Sequence, residues 1–375
     1  MPPLRPKLLA TALWGFLCLI LALQAGAAEA ASRFVIMPEA NVLATANLAA
    51  LRSTGFYRML QDRHPEFQRT EAEWLALLDL QPAECLAVVL AARIPDSGPS
   101  RNMPMLLAVD SSKAIDIAAV LRKNQERGAR RENKTLTSTA LDNGTLWRLA
   151  NADDPGDQMF LALSQDRKTL FISPGRLELE NALARERSGQ AAVPVPAVHN
   201  AWAARPNHIR FACALPDRYK QELRRNEPAA PTKGGDRPAH DPGGDPLFDL
   251  AKIFSRLENV GGDLVATADK ASLRLSFGQP TAADADKGMK TLQTSTQFLA
   301  AMMAFSSKDP ELPALAQALQ RLSFTVNGTA IRIVGVVDAD TCERLASLGR
   351  RLEEEQLRKA RRREARGRNE VDLGP

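Results

Sequence analysis

Short segments of alternating apolar and polar residues recur along the chain, and segments with helical spacing separate them. Residues 42–48 (VLATANL) open the first set with the period of two that is typical of a half-buried strand. The spacing that follows predicts helices over 50–60 and 71–78, strands over 85–92 and 105–109, and a helix over 112–123.

A second set repeats this order of elements after residue 207. It comprises a strand over 208–215, helices over 217–225 and 247–257, strands over 263–268 and 272–277, and a long helix capped by Thr281 that ends near residue 305. The repetition indicates that the chain uses one structural pattern twice.

Both sets also end with a hairpin followed by a helix. The first hairpin is predicted over 161–173, after an additional hairpin over 137–150, and its helix covers 176–187. In the second set, the dipeptide Asn327-Gly328 is a strong signal for a tight turn between strands. Asp338 or Asp340 is then expected to cap the last helix.

The alternation predicts an α+β fold with two related modules of mainly antiparallel sheet and helices packed on one face. A run of parallel βαβ units has near-continuous apolar strands, and most strands here lack them. Residues 31–190 are expected to form module 1, 191–206 a linker, and 207–349 module 2, with a disordered proline- and glycine-rich loop over 226–246. Residues 350–375 are expected to form a basic, helical tail.

Two segments carry a resemblance to known sequences. Pro38-Glu39-Ala40 with the following VLATANLAAL, and GDLVATADKASLRLSFGQPTAADADKGMKTL further on, resemble uncharacterised exported bacterial proteins with a repeated α+β module. The resemblance covers most of the chain after residue 30 and consists of pattern rather than a diagnostic motif. It implies the repeated fold and export, and it implies no activity and no site residues.

The first 30 residues have the features of a secretory signal peptide. Arg5 and Lys7 precede 16 mainly apolar residues at 8–23, and Ala28-Glu29-Ala30 fits the cleavage rule. A membrane-spanning helix needs about 20 apolar residues, so an uncleaved anchor is the less favoured alternative. No later stretch of the sequence is long and apolar enough to span a membrane. The mature chain is therefore expected in the periplasm, the cell envelope or outside the cell.

Charge is concentrated at the two ends of the chain. The formal net charge is +5, yet residues 8–349 are neutral, because nine basic residues and four glutamates lie between 350 and 368. Such a neutral body argues against a nucleic-acid-binding fold. The tail either makes a solvated helix or binds a polyanion such as an anionic envelope component. The residues of this polyanion-binding hypothesis are Arg358, Lys359, Arg361, Arg362, Arg363, Arg366 and Arg368.

Residues suited to catalysis are scarce. The sequence lacks the common nucleophile, phosphate-loop and zinc-protease motifs. No two of the four histidines (His64, His199, His208 and His240) lie within four residues of each other, and each is expected at the surface or in a capping role. Cys85, Cys213 and Cys342 are expected to be small buried residues, with one disulfide among them as the alternative. No catalytic residue, metal site or cofactor is therefore predicted.

These observations favour an exported envelope protein with a non-catalytic binding or structural role. One alternative is a hydrolase whose site is formed between the two modules from residues distant in sequence. The other is a polyanion-binding protein that acts through its arginine-rich tail.

Overall fold

The computed structural model describes most of the chain between residues 32 and 347. The described residues are 32–63, 65–96, 103–129, 134–141, 144–151, 158–196, 198, 208–225, 253, 256–305, 312–338, 340, 341, 343, 344 and 347. The predicted signal peptide, the loop 226–246, most of the linker 191–206 and the tail 350–375 lie outside the described residues.

Twelve strands and eight helices can be assigned within these residues. The strands are β1 (Val42–Asn47), β2 (Cys85–Ala92), β3 (Met105–Ser111), β4 (Lys134–Leu141), β5 (Gly144–Asn151), β6 (Gln158–Leu163), β7 (Thr169–Ser173), β8 (Ile209–Ala214), β9 (Asn259–Ala266), β10 (Lys270–Gly278), β11 (Ser323–Asn327) and β12 (Ala330–Asp338). The helices are α1 (Leu48–Arg52), α2 (Gly55–Arg63), α3 (Pro65–Ala76), α4 (Ile117–Ala129), α5 (Arg176–Ser188), α6 (Asp217–Arg225), α7 (Ala282–Phe305) and α8 (Leu312–Gln320). Short 3-10 helices occupy Ser32–Val35 and Pro82–Glu84.

All twelve strands belong to one antiparallel sheet. Their order is β11-β12-β10-β9-β8-β1-β2-β3-β7-β6-β5-β4. Strands β1 and β8 pair at the centre, where Ala44 lies opposite Phe211. The expected α+β class with an antiparallel sheet is therefore confirmed.

The two halves of this sheet have the same strand order. The first half runs β1-β2-β3-β7-β6 outward from the centre, and the second runs β8-β9-β10-β12-β11. The hairpin of β4 and β5 extends only the first half. The halves also share packing, because Ile209, Ala266 and Ala271 of the second half lie in one apolar core with Leu48 and Tyr57 of the first.

Helices cover both faces of the first half of the sheet, so the prediction of helices on one face is wrong there. On one face, α1 to α4 pack against a core that includes Val88 and Val109. On the opposite face, α5 and the 3-10 helix Ser32–Val35 pack over Leu106 and Phe171. The reason lies in strands such as β2 (CLAVVLAA), which are apolar on both sides and must be buried on both.

The second half keeps the alternation that the sequence predicts. Phe277 of β10 packs with Ile331 of β12 beneath α7, whereas Arg274 and Ser276 point to the opposite face because side chains alternate along a strand.

Local signals explain where several elements begin and end. The hydroxyl of Thr281 accepts a hydrogen bond from the Asp284 backbone N–H at 3.1 Å, which confirms it as the cap of α7. Asp338, rather than Asp340, caps the following turn, since its carboxylate accepts from the Thr341 N–H at 2.8 Å. Gly328 adopts a left-handed φ of 59° between β11 and β12, as the predicted Asn-Gly turn requires.

The contact between α2 and the β9–β10 turn leaves no room for a side chain at Gly55. An added Cβ would lie 2.2 Å from the backbone oxygen of Ala268, and Phe56 N–H donates to the adjacent Thr267 carbonyl at 3.1 Å. Because overpacking of this kind costs about 1–3 kcal/mol, we expect Gly55→Ala to lower the free energy of unfolding by that amount in urea denaturation. Ser53→Ala, at an exposed position nearby, should change it by less than about 0.5 kcal/mol. Equal stability of the two variants would show that the helix shifts freely.

Candidate functional site

The tail residues predicted to bind a polyanion lie outside the described residues. They are Arg358, Lys359, Arg361, Arg362, Arg363, Arg366 and Arg368. His64, His199, His240 and Cys342 lie outside them as well. Candidate sites are therefore sought among the described cavities and buried polar groups.

His208 has a structural role at the start of β8. Its Nδ1 accepts a hydrogen bond from the backbone N–H of Ala266 at 2.9 Å. Burial lowers the pKa of the imidazole, because the charged form loses its solvation. The ring is therefore neutral at physiological pH, and the expected capping role matches this contact.

Cys85 and Cys213 are free thiols, so these two residues do not form a disulfide with each other. Cys85 is fully buried, and burial raises its thiol pKa to about 12. Burial likewise raises the pKa of Cys213 to about 11. A thiol acts as a nucleophile only as its thiolate, so neither residue is suited to nucleophilic catalysis.

An open cleft of about 390 Å³ lies at the junction of the two halves. Its walls combine residues 39–41 and 93–96 of the first half with residues 214–217 of the second. The Asn41 side chain links the two segments that the first half contributes to this wall. It donates to the Ile94 carbonyl at 2.9 Å and accepts from the Ile94 N–H at 2.8 Å. The described lining residues include three carboxylates, Glu39, Asp96 and Asp217, and no histidine or cysteine.

A buried ionic network joins α1, α2, α3 and β2. The Glu71 carboxylate accepts from the Arg52 guanidinium (Nη2) at 2.5 Å and from the Tyr57 hydroxyl at 2.5 Å, and Arg52 Nη1 donates to the Cys85 carbonyl at 2.7 Å. Glu71 is only 5% exposed. Burial and the Glu71 carboxylate raise the pKa of Tyr57. Because Glu71 and Tyr57 are buried and Arg52, Tyr57 and Glu71 are hydrogen-bonded to one another, this network stabilises the helices rather than contacting a ligand.

A second cavity, of about 520 Å³, lies at the opposite end of the strands from the junction cleft. It opens where β5 begins, β6 ends and α5 ends. We call it the arginine–tryptophan cavity. Its lining includes Ile117, Thr145, Trp147, Leu163, Ser164, Gln165, Arg167 and Arg187. Ligand sites of proteins have volumes of about 300–1,000 Å³ and apolar walls with a few polar groups, which this cavity matches.

The turn that presents Arg167 is rigidly built. Arg167 has a left-handed φ of 60°, which costs free energy for a residue with a side chain. Its N–H donates to the Ser164 carbonyl at 2.9 Å, and its carbonyl accepts from the Ile115 N–H at 2.8 Å. These bonds fix where the Arg167 side chain leaves the backbone, at the mouth of the cavity.

A series of hydrogen-bonded polar side chains stabilises the same turn. The Ser164 hydroxyl donates to Asp166 at 2.6 Å and accepts from the Thr169 N–H at 2.9 Å. The Thr169 hydroxyl donates to Asp110 at 2.6 Å. The second oxygen of Asp110 is buried without a hydrogen-bond partner, and burial raises the pKa of this carboxyl to about 6.

Two acidic residues that are adjacent in sequence to lining residues, Asp166 and Glu186, make hydrogen bonds of their own. The Asp166 carboxylate accepts from Ser164 and from the Lys168 N–H at 3.0 Å, and these hydrogen bonds outweigh burial and lower its pKa. The Glu186 carboxylate accepts from the Gln165 N–H at 3.0 Å, and burial raises its pKa. Neither residue lines the cavity, so its charged lining is cationic.

The lining combines one indole with two guanidinium groups, which are groups that can bind an anionic ligand. Two hydroxyls of this turn contact carboxylates, Ser164 with Asp166 and Thr169 with Asp110. The described lining residues of the cavity include no histidine. No group of three or more histidine, cysteine or acidic residues among those described could hold a metal ion. No helix in the described part of the chain is long and apolar enough to cross a membrane.

The sequence signals for this cavity were individually weak. Trp147 lies on β5, Arg167 on the turn between β6 and β7, and Arg187 on α5. The pairing of β5, β6 and β7 and the position of the end of α5 bring them together. The single available hint was an indole in the additional hairpin 137–150, which the second half of the chain lacks.

Comparisons with known proteins identify solved structures only. No family model and no curated protein matches the chain. Similar solved structures include crystal form I of TP0453, with a TM-score of 0.39, 12% identity, and coverage of 86% of this chain and 96% of that chain. Crystal form III has a TM-score of 0.42 at 13% identity, covering 86% and 97%. Crystal form IV has a TM-score of 0.40 at 14% identity, covering 84% and 94%.

Proposed function

We propose that this is an exported protein of the cell envelope with a non-catalytic binding function. The support for export is the basic, apolar and small-residue order of residues 1–30, which is the pattern of a cleaved secretory signal. The support for binding without catalysis is the combination of an open cavity with two described thiols whose pKa values burial raises, Cys85 and Cys213, and with the half-buried His208, whose pKa is lowered.

The arginine–tryptophan cavity is the proposed binding site, and its ligand is an acidic sugar or a sugar-like anion of similar size. The observation that carries this proposal is the convergence of one indole, Trp147, and two guanidinium groups, Arg167 and Arg187, on one cavity of about 520 Å³. An indole offers a flat apolar surface with one polar edge. A guanidinium group binds a carboxylate through two parallel hydrogen bonds.

A titration with two matched sugars tests this function. Trigalacturonate carries carboxylates, and maltotriose is a neutral sugar of the same length. Calorimetric titration should give a saturable signal with trigalacturonate and binding about tenfold weaker or more with maltotriose, since each lost charged hydrogen bond costs about 1.5–3 kcal/mol. Replacing Arg167 with Gln should weaken trigalacturonate binding by about tenfold on the same basis.

Two controls make this result specific. Arg148→Gln removes an arginine from the same strand as Trp147, where its Nε contacts Gln158 at 2.9 Å, and should leave the affinity unchanged. Mass spectrometry of the sugar after prolonged incubation should find it intact. Equal affinity for both sugars, or cleaved trigalacturonate, would contradict a non-catalytic site for anions.

The basic tail is proposed as a second, separate attachment to anionic envelope components. The residues that support it are Arg358, Lys359, Arg361, Arg362, Arg363, Arg366 and Arg368. Counter-ion release makes such binding fall steeply with salt. Deletion of 350–375 should therefore abolish salt-sensitive binding to dextran sulfate and leave trigalacturonate binding at the cavity intact.

We also propose that the chain consists of two related modules, as its repeated sequence pattern suggests. The support for this is the identical strand order of β1-β2-β3-β7-β6 and β8-β9-β10-β12-β11. In this proposal, the hairpin of β4 and β5 is an addition to the first module. The arginine–tryptophan cavity, which uses Trp147 of that hairpin, then belongs to the first module alone.

A further inference from the structure

A third, smaller cavity lies beside the first turns of α7. Its volume is about 60 Å³, which exceeds the roughly 10–15 Å³ that one water molecule needs. The polar side chains in its wall are Arg256, Gln279, Asp284, Lys287 and Thr291. The last three lie at positions i, i+3 and i+7 of α7, which share one face of a helix.

The evidence for a ligand in this cavity is the side chain of Gln279. The residue is only 4% exposed, and its backbone N–H is satisfied by the Thr329 carbonyl at 2.8 Å. Its side-chain Nε2 is buried and has no hydrogen-bond partner. Buried amide groups in native proteins are almost always paired, so a group absent from the protein itself is expected to accept this hydrogen bond from within the cavity.

The net charge of the lining residues indicates which kind of molecule would accept the hydrogen bond from Gln279. Arg256 and Lys287 are cationic, and Asp284 is anionic and pairs with Arg256 Nη1 at 2.9 Å. The lining therefore has one net positive charge. The nearby N-terminus of α7, a helix of 24 residues, adds a further partial positive charge. A small anion satisfies both this charge and the Gln279 donor, which a neutral molecule does not.

We propose that this cavity binds a small oxyanion, with Gln279 donating to one oxygen and Arg256 and Lys287 balancing its charge. The site rests on Gln279 and the α7 cavity alone, and it is independent of the arginine–tryptophan cavity at the other end of the sheet. A carboxylate, sulfate or inorganic phosphate presents the same oxygen acceptors, and the volume fits an ion of that size rather than a larger metabolite.

Thermal unfolding with different sodium salts tests the proposal. At constant ionic strength, sodium phosphate, sodium sulfate and sodium acetate should each be compared with sodium chloride for their effect on the melting temperature. Specific binding to the folded state raises the melting temperature in a saturable way. Sulfate and phosphate also raise melting temperatures without binding, because they are excluded from protein surfaces. The salt whose effect saturates at the lowest concentration therefore identifies the preferred anion, and its dissociation constant follows from calorimetric titration of the whole protein.

Two variants assign any binding to this cavity. Gln279→Leu removes the unpartnered amide at similar volume, so it should fold at least as well as the original protein while weakening anion binding by about tenfold or more. Lys287→Met should also weaken it, whereas Lys290→Met, at an exposed position on the same helix, should not. Absence of any saturable shift would mean that the cavity holds water only, and an unchanged affinity in Gln279→Leu would place the anion elsewhere. Either result would overturn the proposal.

Discussion

Replacement of Glu71 by alanine is expected to lower the free energy of unfolding by about 3–5 kcal/mol, the range found when one partner of a buried ion pair is removed. The variant leaves the Arg52 guanidinium with its charge uncompensated beneath α1, where its side chain is only 16% exposed. It also leaves the Tyr57 hydroxyl without its acceptor at a position that is 2% exposed. Urea denaturation followed by circular dichroism measures this loss.

Glu73 offers a matched control on the same helix. Its carboxylate pairs with Arg69 at 2.8 Å, but the side chain is 63% exposed, and exposed pairs contribute about 0–1 kcal/mol. Glu73→Ala should therefore change stability by less than about 1 kcal/mol. Similar losses for the two variants would show that the Glu71 network is not the anchor of α1, α2 and α3.

Replacement of Asp110 by asparagine is expected to stabilise the protein at pH 8 by up to about 3 kcal/mol, since each pKa unit is worth about 1.36 kcal/mol. Burial raises the pKa of this carboxyl to about 6, from 3.8. The folded state therefore binds more protons than the unfolded state between these values. The stabilisation that the protonated Asp110 carboxyl contributes is fully present below the pKa of the unfolded state, and it is lost as pH rises through the pKa of the folded state.

The pH dependence distinguishes this effect from ordinary repacking. Asparagine keeps an oxygen that can accept from the Thr169 hydroxyl, which lies 2.6 Å from Asp110 Oδ1. The advantage of Asp110→Asn over the original protein should thus shrink towards pH 4 and reach its maximum above pH 7. Asp269→Asn, with a side chain that is 70% exposed, should show no such trend. A stability difference for Asp110→Asn that is constant from pH 4 to pH 8 would rule out a buried carboxyl with a raised pKa.

Local signals predicted most elements, and packing between elements decided the rest. The Asn327-Gly328 turn and the Thr281 cap each depend on residues adjacent in sequence, and both were predicted. The second layer of helices was not, because a strand such as β2 does not specify what covers its second apolar face. Helix α8 was not predicted either.

The candidate sites depend on contacts that sequence spacing does not encode. Glu71 and Arg52 are 19 residues apart, Thr169 and Asp110 are 59 apart, and no motif links either pair. The arginine–tryptophan cavity similarly needs the β5–β6–β7 pairing and the end of α5. Sequence reasoning could predict that catalytic motifs were lacking, but it could not locate a binding cavity.

The most direct test of the proposed function is a crystal structure of the full protein soaked with trigalacturonate. The account predicts an intact sugar in the arginine–tryptophan cavity, with one ring against the Trp147 indole and a carboxylate within hydrogen-bond distance of Arg167 and Arg187. A sugar bound instead in the junction cleft of residues 39–41, 93–96 and 214–217, or a cleaved sugar in either place, would contradict it.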